Sequence, residues 1–241
     1  MSEFLDATDG AGDADRTAAI KRAAELLLAG EVVVLPTDTV YGVAANAFDP
    51  SAIATLLAIK GRDDAIPLPV MVRSPQQIAG LAVAVPAAAD RLASAFWPGP
   101  LTLVLHAQPR LTWDIGRAQG TVALRLPRDE ATLAVIRTVG PVALTAANAP
   151  GQEPPRSVAE ASDQLGEQVA AFLDTGQRPP GPTSTIVDLT RSGAKVLREG
   201  AVPTALALDV AEGHVDPLTA SAALAGATAD AIADDEADDD Q

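Results

Sequence analysis

The sequence predicts an α/β domain built on a mixed sheet, and three observations lead there. Short apolar runs rich in Val, Leu and Ala alternate with segments of helical periodicity through residue 203. Gly, Pro, Ser and Asp punctuate the changes from one kind of segment to the next. A chain of 241 residues with 48% hydrophobic content suffices for one sizeable core, and with only 3% aromatics that core must be made of small aliphatic side chains.

Taken in order, Asp15 followed by RTAAIKRAAELLLAG predicts a capped helix ending at Gly30, with Ile20, Ala24, Leu27 and Leu28 inward. EVVVLP is an apolar strand stopped by Pro36, and TDTVYGVAANAF a loop entering a second strand. Asp49-Pro50-Ser51 starts a helix whose stripe is Ile53, Leu56 and Leu57, and which runs out at Lys60-Gly61-Arg62. LPVMV is a strand, and Ser74-Pro75 opens a further helix. A helix over 86–96 leads through a WPGP turn into the strand LTLVLH. TVALRLP and PVALTAAN are strands around a helix near 129–138. Ser157 caps VAEASDQL, and VAAFLD, STIVDL and KVLRE complete the sheet. The reading divides the chain into an acidic N-terminal extension (1–15), one domain (16–203) and an acidic, disordered tail (204–241), so that deleting residues 209–241 should leave the domain intact.

The formal charge of −15 belongs to the ends. Residues 1–15 hold five acids and no base, and residues 209–241 hold ten acids and no base. The body between them keeps 17 acids against all 17 bases, so it is neutral. The acidic, polar start resembles neither a secretory nor a transit peptide, and no window reaches membrane-spanning length, so the expectation is a cytoplasmic protein with no membrane contact. With no cysteine and only His106 and His214, thiol catalysis, cysteine zinc sites and histidine clusters are set aside, and no protein-bound metal is expected.

No GxxxxGK[ST] loop, no dinucleotide fingerprint and no GxSxG elbow occurs. Polar residues instead collect at the ends of apolar strands. Thr37, Asp38 and Thr39 follow VVVLP; Lys60 and Arg62 flank a glycine; Thr121 and Arg125 share one face of a strand; Thr145 and Asn148 end PVALTAAN; Ser184 and Thr185 begin STIVDL; Arg198 ends KVLR. Strand ends line the crevice in which α/β proteins bind ligands, and cations there suit phosphates and carboxylates. Each residue also has a plainer reading. Thr39 is a good strand former, Lys60 and Arg62 complement a helix end, Arg125 pairs with Asp38 or Asp188, and Arg198 lies on the surface. His106 is read as having no chemical role.

The order LPTDTVYGVAANA, AIKGR, WPGPLTLVL, TVALRLP, TAANAPG, TSTIVDLT, VLREGAV resembles the YrdC-like family over residues 16–203. That resemblance implies a single three-layer domain with a twisted mixed β-sheet and a concave ligand-binding face. It also implies synthesis of threonylcarbamoyl-AMP and pyrophosphate from L-threonine, bicarbonate and ATP with its Mg²⁺, for threonylcarbamoyladenosine in tRNA, and so a nucleotidyltransferase. Carried over by position, Thr39, Arg125 and Ser184 match contacts to threonine. Arg62, Thr121, Asn148 and Arg198 match contacts to ATP, and Lys60 and Arg62 are the catalytic cations. The product would pass to a downstream tRNA threonylcarbamoyl transferase complex.

The chain departs from the family at three places. Ala146-Ala147-Asn148 stands where SAN is common, which removes a nucleotide-contacting hydroxyl unless Thr145 supplies it. Asp63 and Ile66 stand where proline and asparagine are frequent after KGR, and Met71 where some members have histidine. The chain resembles the short form of the family, without a further C-terminal domain. Two rivals share the fold. One is a carbamoyl-adenylating enzyme of the hydrogenase-maturation type, which carries acylphosphatase and zinc modules. The other is a weak RNA-binding module, against which the neutral body and scarce aromatics speak.

Overall fold

In the computed structural model, residues 1–61, 67–111, 115 and 120–238 are described, with side chains through residue 227. The strands are β1 (Glu3–Asp6), β2 (Val33–Leu35), β3 (Gly42–Asn46), β4 (Pro69–Met71), β5 (Ala82–Val83), β6 (Leu101–Ala107), β7 (Thr121–Arg125), β8 (Val142–Ala146), β9 (Ala171–Asp174), β10 (Thr185–Asp188) and β11 (Lys195–Arg198). The helices are α1 (Asp13–Leu28), α2 (Pro50–Lys60), α3 (Ile78–Leu81), α4 (Ala87–Phe96), α5 (Glu130–Val139), α6 (Val158–Leu165), α7 (Thr204–Glu212) and α8 (Pro217–Asp238).

The strands form one mixed sheet in the order β1-β9-β2-β3-β8-β4-β7-β6-β10-β11, with β5 paired to β6. One face packs along its length on α2, α4, α6 and α7 through Val34, Val43, Val70, Leu103, Leu124 and Val187. Because side chains alternate along a strand, the intervening residues fill the opposite face. There Val33, Leu35, Ala44, Met71, Val142, Leu144, Ala171 and Leu173 are buried with α1 and α5. Among the described residues that cover reaches from β1 to β4. On β6, β7 and β10 the same face carries a separate small patch, Val104, Ala123 and Ile186, set among polar side chains. A helix layer on each side of the sheet is the three-layer architecture, and among the described residues the patch on β6, β7 and β10 forms a cluster separate from the one beneath α1 and α5.

Local chemistry accounts for the element ends nearest that region. Asp49 caps α2 by accepting from the amides of Ser51 and Ala52, with Pro50 in the first turn. Gly61 ends α2 in the left-handed conformation at φ +57°, which a residue with a Cβ adopts at a cost. Ser157 caps α6 as expected. Helix α1, however, begins at Asp13, two residues before Asp15, with Gly12 as the cap through its backbone. Asp13 and Asp15 sit in its first turn, where the helix dipole favours them. Leu28 faces solvent at 54% exposure, and Ala23 and Leu26 take the inward positions instead.

Both ends of the expected domain extend further than the composition suggested. Strand β1 joins the sheet in parallel with β9, and Phe4 stacks on Phe172 at 5.3 Å, so residues 3–6 are part of the fold. Helix α7 buries Ala207, Val210 and Ala211, and α8 buries Ala220. Arg91 on α4 donates to the carbonyls of Val210 and Ala211, tying α7 in place. The placement of a tail from residue 204 is therefore corrected. Alanines that read as low complexity are small residues packed against α4. No helix among the described residues is long and apolar enough to cross a membrane.

Candidate active site

The WPGP turn between α4 and β6 connects two polar groups, one at the end of β7 and one at the start of β10. The carbonyl of Gly99 accepts from Arg125 Nε at 3.0 Å, and the carbonyl of Pro100 accepts from the amide of Thr185 at 2.9 Å. The first group is built on Arg125, buried at the end of β7 at 4% exposure. Its Nη2 donates to Asp38 Oδ1 at 2.8 Å, and both terminal nitrogens lie 3.4 Å from Thr39 Oγ1. Asp38 Oδ1 also accepts from the amide of Arg128 at 2.9 Å. Of the two partners the sequence allowed for Arg125, the structure selects Asp38. A guanidinium has five N–H groups, and among the described residues Nη1 makes only the long contact to Thr39, which leaves donor capacity for an anion at this point.

The loop carrying Asp38 and Thr39 is fixed from below. Thr37 Oγ1 donates to the Val40 carbonyl at 2.6 Å, Thr132 Oγ1 donates to the Pro36 carbonyl at 2.6 Å, and Arg178 Nη1 contacts the Thr37 carbonyl. Arg178 also pairs with Asp129 at 3.1 Å and lies over the Tyr41 ring at 5.6 Å. Burial pushes the Asp129 carboxyl above its ordinary value, and the Thr132 amide and Arg178 oppose the shift without cancelling it. The Tyr41 phenol is likewise pushed up by burial. Neither Arg178 nor Asp129 stood out in the sequence, since neither lies in a motif.

The second group is built on Ser184, at the start of β10 and 6% exposed. Its hydroxyl lies 3.0 Å from Thr102 Oγ1, and Arg198 Nη2 reaches its hydroxyl at 3.2 Å and its carbonyl at 2.7 Å. Gly200 allows this approach: a Cβ there would stand 2.1 Å from the Thr183 carbonyl. The register that pairs Ile186 with Arg198 puts that arginine on the same face as Ser184.

The third group joins the end of α2 to the end of β8. Lys60, buried at 4% exposure, donates through Nζ to the carbonyls of Ala146 and Asn148 and to Asn148 Oδ1. The backbone continues this link, since the Ala147 amide donates to the Tyr41 carbonyl at 2.9 Å. Thr145 and Ala146 occupy successive strand positions and point to opposite faces, so the Thr145 hydroxyl does not take the place of one at Ala146.

Thr121 stands apart from these groups. It pairs with His106 at the far end of β7, roughly 13 Å of strand from Arg125. There it lines a cavity of about 180 Å³ with Gln108, Leu111, Ile115 and Val122. His106 itself contacts the Thr190 carbonyl at 2.9 Å. Arg62, Asp63 and Ile66 lie outside the described residues.

The Sua5/YciO/YrdC family, described as "Telomere recombination", matches residues 25–200. The chain belongs to that family. A Mycobacterium tuberculosis relative, provisionally named threonylcarbamoyl-AMP synthase, is 45% identical over 204 residues, covering 85% of this chain and 93% of its own. The threonylcarbamoyl-AMP synthase of Pyrococcus abyssi is 36% identical over 185 residues, covering 76% of this chain and 54% of its own. Among solved structures, P. abyssi Sua5 complexed with L-threonine superposes with a TM-score of 0.81 at 31% identity, covering 89% of this chain and 62% of that one.

Proposed function

We propose that this family member is an L-threonylcarbamoyladenylate synthase, forming threonylcarbamoyl-AMP and pyrophosphate from L-threonine, bicarbonate and ATP. The observation that carries the reading is Arg125, a buried guanidinium set between Asp38 and Thr39 at the end of β7. An arginine is seldom buried without partners and is suited to receiving a carboxylate. The names and the threonine-bound neighbour support the same substrate.

The chemistry asks for placement more than for a nucleophile. The amine of threonine and bicarbonate give a carbamate and water. A carbamate oxygen then attacks the α-phosphorus of ATP, and the bond to the bridging oxygen breaks to release pyrophosphate. In this reading the chain is a nucleotidyltransferase, and its task is to hold two anions together and offset charge on the phosphoryl group. Arg125, Thr39 and Ser184 take the threonine end, while Arg198, Asn148, Thr121 and Arg62 take ATP, whose Mg²⁺ arrives with it. Lys60 acts by holding the carbonyls at 146 and 148. The product goes to a tRNA threonylcarbamoyl transferase complex in the cytoplasm.

Pyrophosphate release from ATP, measured with threonine and bicarbonate omitted in turn, tests the reading. Release is expected only with both present. Equal release with serine, or without an amino acid, overturns the threonine assignment.

A further inference from the structure

Thr102 is the hydroxyl partner of Ser184 within the sheet. It is the second residue of β6, fully buried at 0% exposure, on the same sheet face as Val104 and Arg125. Among the described residues its hydroxyl makes one hydrogen bond, the 3.0 Å contact with Ser184 Oγ, in which either oxygen could donate. The protons decide which one does. A serine oxygen can accept two hydrogen bonds and donate one, and Arg198 Nη2 already fills one acceptor position of Ser184. If Ser184 donated to Thr102, the Thr102 proton would be stranded in a site closed to water, which is costly. If Thr102 donates, its proton is satisfied, both acceptor positions of Ser184 are filled, and the Ser184 proton is directed into the crevice.

We propose that Thr102 is a positioning residue that makes Ser184 a hydrogen-bond donor, so that Ser184 recognises an oxygen of the bound amino acid and never its ammonium group. The proposal rests on the reading of Ser184 as a threonine contact, and it adds a direction to that contact. Arg125 and Ser184, both donors, then define the oxygen-bearing side of the pocket, and the amine is turned away from both toward the reacting carbon.

Steady-state kinetics of Thr102→Val, Thr102→Ser, Ser184→Ala and the double variant Thr102→Val/Ser184→Ala test it. Valine matches the β-branched shape of threonine and suits a buried strand position. Thr102→Val is expected to raise KM for threonine about three- to tenfold, the value of one hydrogen bond, with KM for ATP within twofold. Thr102→Ser keeps the donor and should restore KM for threonine. The double variant should be no worse than Ser184→Ala, because the two residues act through one hydroxyl. If Ser184→Ala raises KM for threonine and Thr102→Val does not, the role of Thr102 fails and the pocket stands. If Ser184→Ala itself leaves KM for threonine unchanged, the pocket reading fails and takes the proposal with it. If Thr102→Val raises both Michaelis constants alike and serine does not rescue, Thr102 is structural and the proposal is overturned.

Discussion

Arg125 donates to Asp38 across 2.8 Å, and side-chain exposures of 5% and 12% place the pair largely out of water. Such a pair is hard to break from one side, because the remaining charge stays in a poorly solvated place. Arg125→Ala is therefore expected to destabilise the fold by about 3–5 kcal/mol, and in the folded fraction to weaken threonine with little change in ATP affinity. Arg125→Lys should recover only part, since an ammonium lacks the planar fork. Calorimetric titration with each substrate separates the two effects. Lost ATP affinity with threonine binding intact would place the amino acid elsewhere.

Lys60 uses the three donors of its ammonium on Ala146, Asn148 and the Asn148 side chain. Its expected failure is thus partly one of stability. Lys60→Met keeps much of the stem and removes the charge, leaving three oxygens short of a donor, and should lower the melting temperature as well as turnover. Arg62→Ala, next along the chain but one, should weaken ATP binding and phosphoryl stabilisation by roughly 2–4 kcal/mol. Melting curves read beside ATP titrations distinguish the two. A Lys60→Met protein as stable as wild type would mean that those oxygens find water instead.

The C-terminal segment divides at a different residue from the one composition suggests. Val210 and Ala220 are fully buried and Arg91 holds the end of α7. Deleting residues 209–241 should reduce the melting temperature by several degrees and leave the protein prone to aggregate, as expected for exposing the apolar surface of α4. Deleting only 228–241 should leave melting and pyrophosphate release within error of the full chain. If the longer deletion melts normally, α7 and α8 do not stabilise the domain.

How much of this was legible beforehand depends on the kind of signal. Strands β2, β4, β6, β8 and β9 are mostly apolar runs, and Asp49 and Ser157 are caps followed by helical periodicity, so local sequence sufficed. The chain ends are the exception, because acidic and alanine-rich composition does not measure order. Phe4 stacks on Phe172, 168 positions away, and Val210 accepts from Arg91 on α4, so neither residue's place follows from its neighbours in sequence. The same limit applies to the site. Thr39, Arg125, Ser184 and Arg198 fall on motif positions, whereas Thr102, Arg178 and Asp129 act through residues far off in sequence. In LTLVLH nothing local distinguishes Thr102 from its strand neighbours.

Asp129 offers a test by pH. In the unfolded chain its carboxyl titrates near 3.8, and in the fold burial raises it despite the Thr132 amide and Arg178. Between those two values the folded protein holds more protons than the unfolded one, so stability falls as pH rises through the window and levels off above it. The contribution of Asp129 is thus present on the acid side and lost at neutral pH. Asp129→Asn removes the titration while its amide oxygen can still accept from the Thr132 amide, as Asp129 Oδ1 does at 2.9 Å. Many other carboxylates titrate in the same range, so the informative quantity is the difference between the two proteins. Denaturant midpoints measured from pH 4 to pH 7 should show the variant gaining on the wild type as pH rises. A variant that instead loses ground as pH rises would mean that the Arg178 partnership at 3.1 Å outweighs burial and holds Asp129 charged. In that case the brace beneath Thr37 is an ion pair whose strength grows toward neutral pH, and Arg178→Gln should then weaken threonine binding most at pH 7.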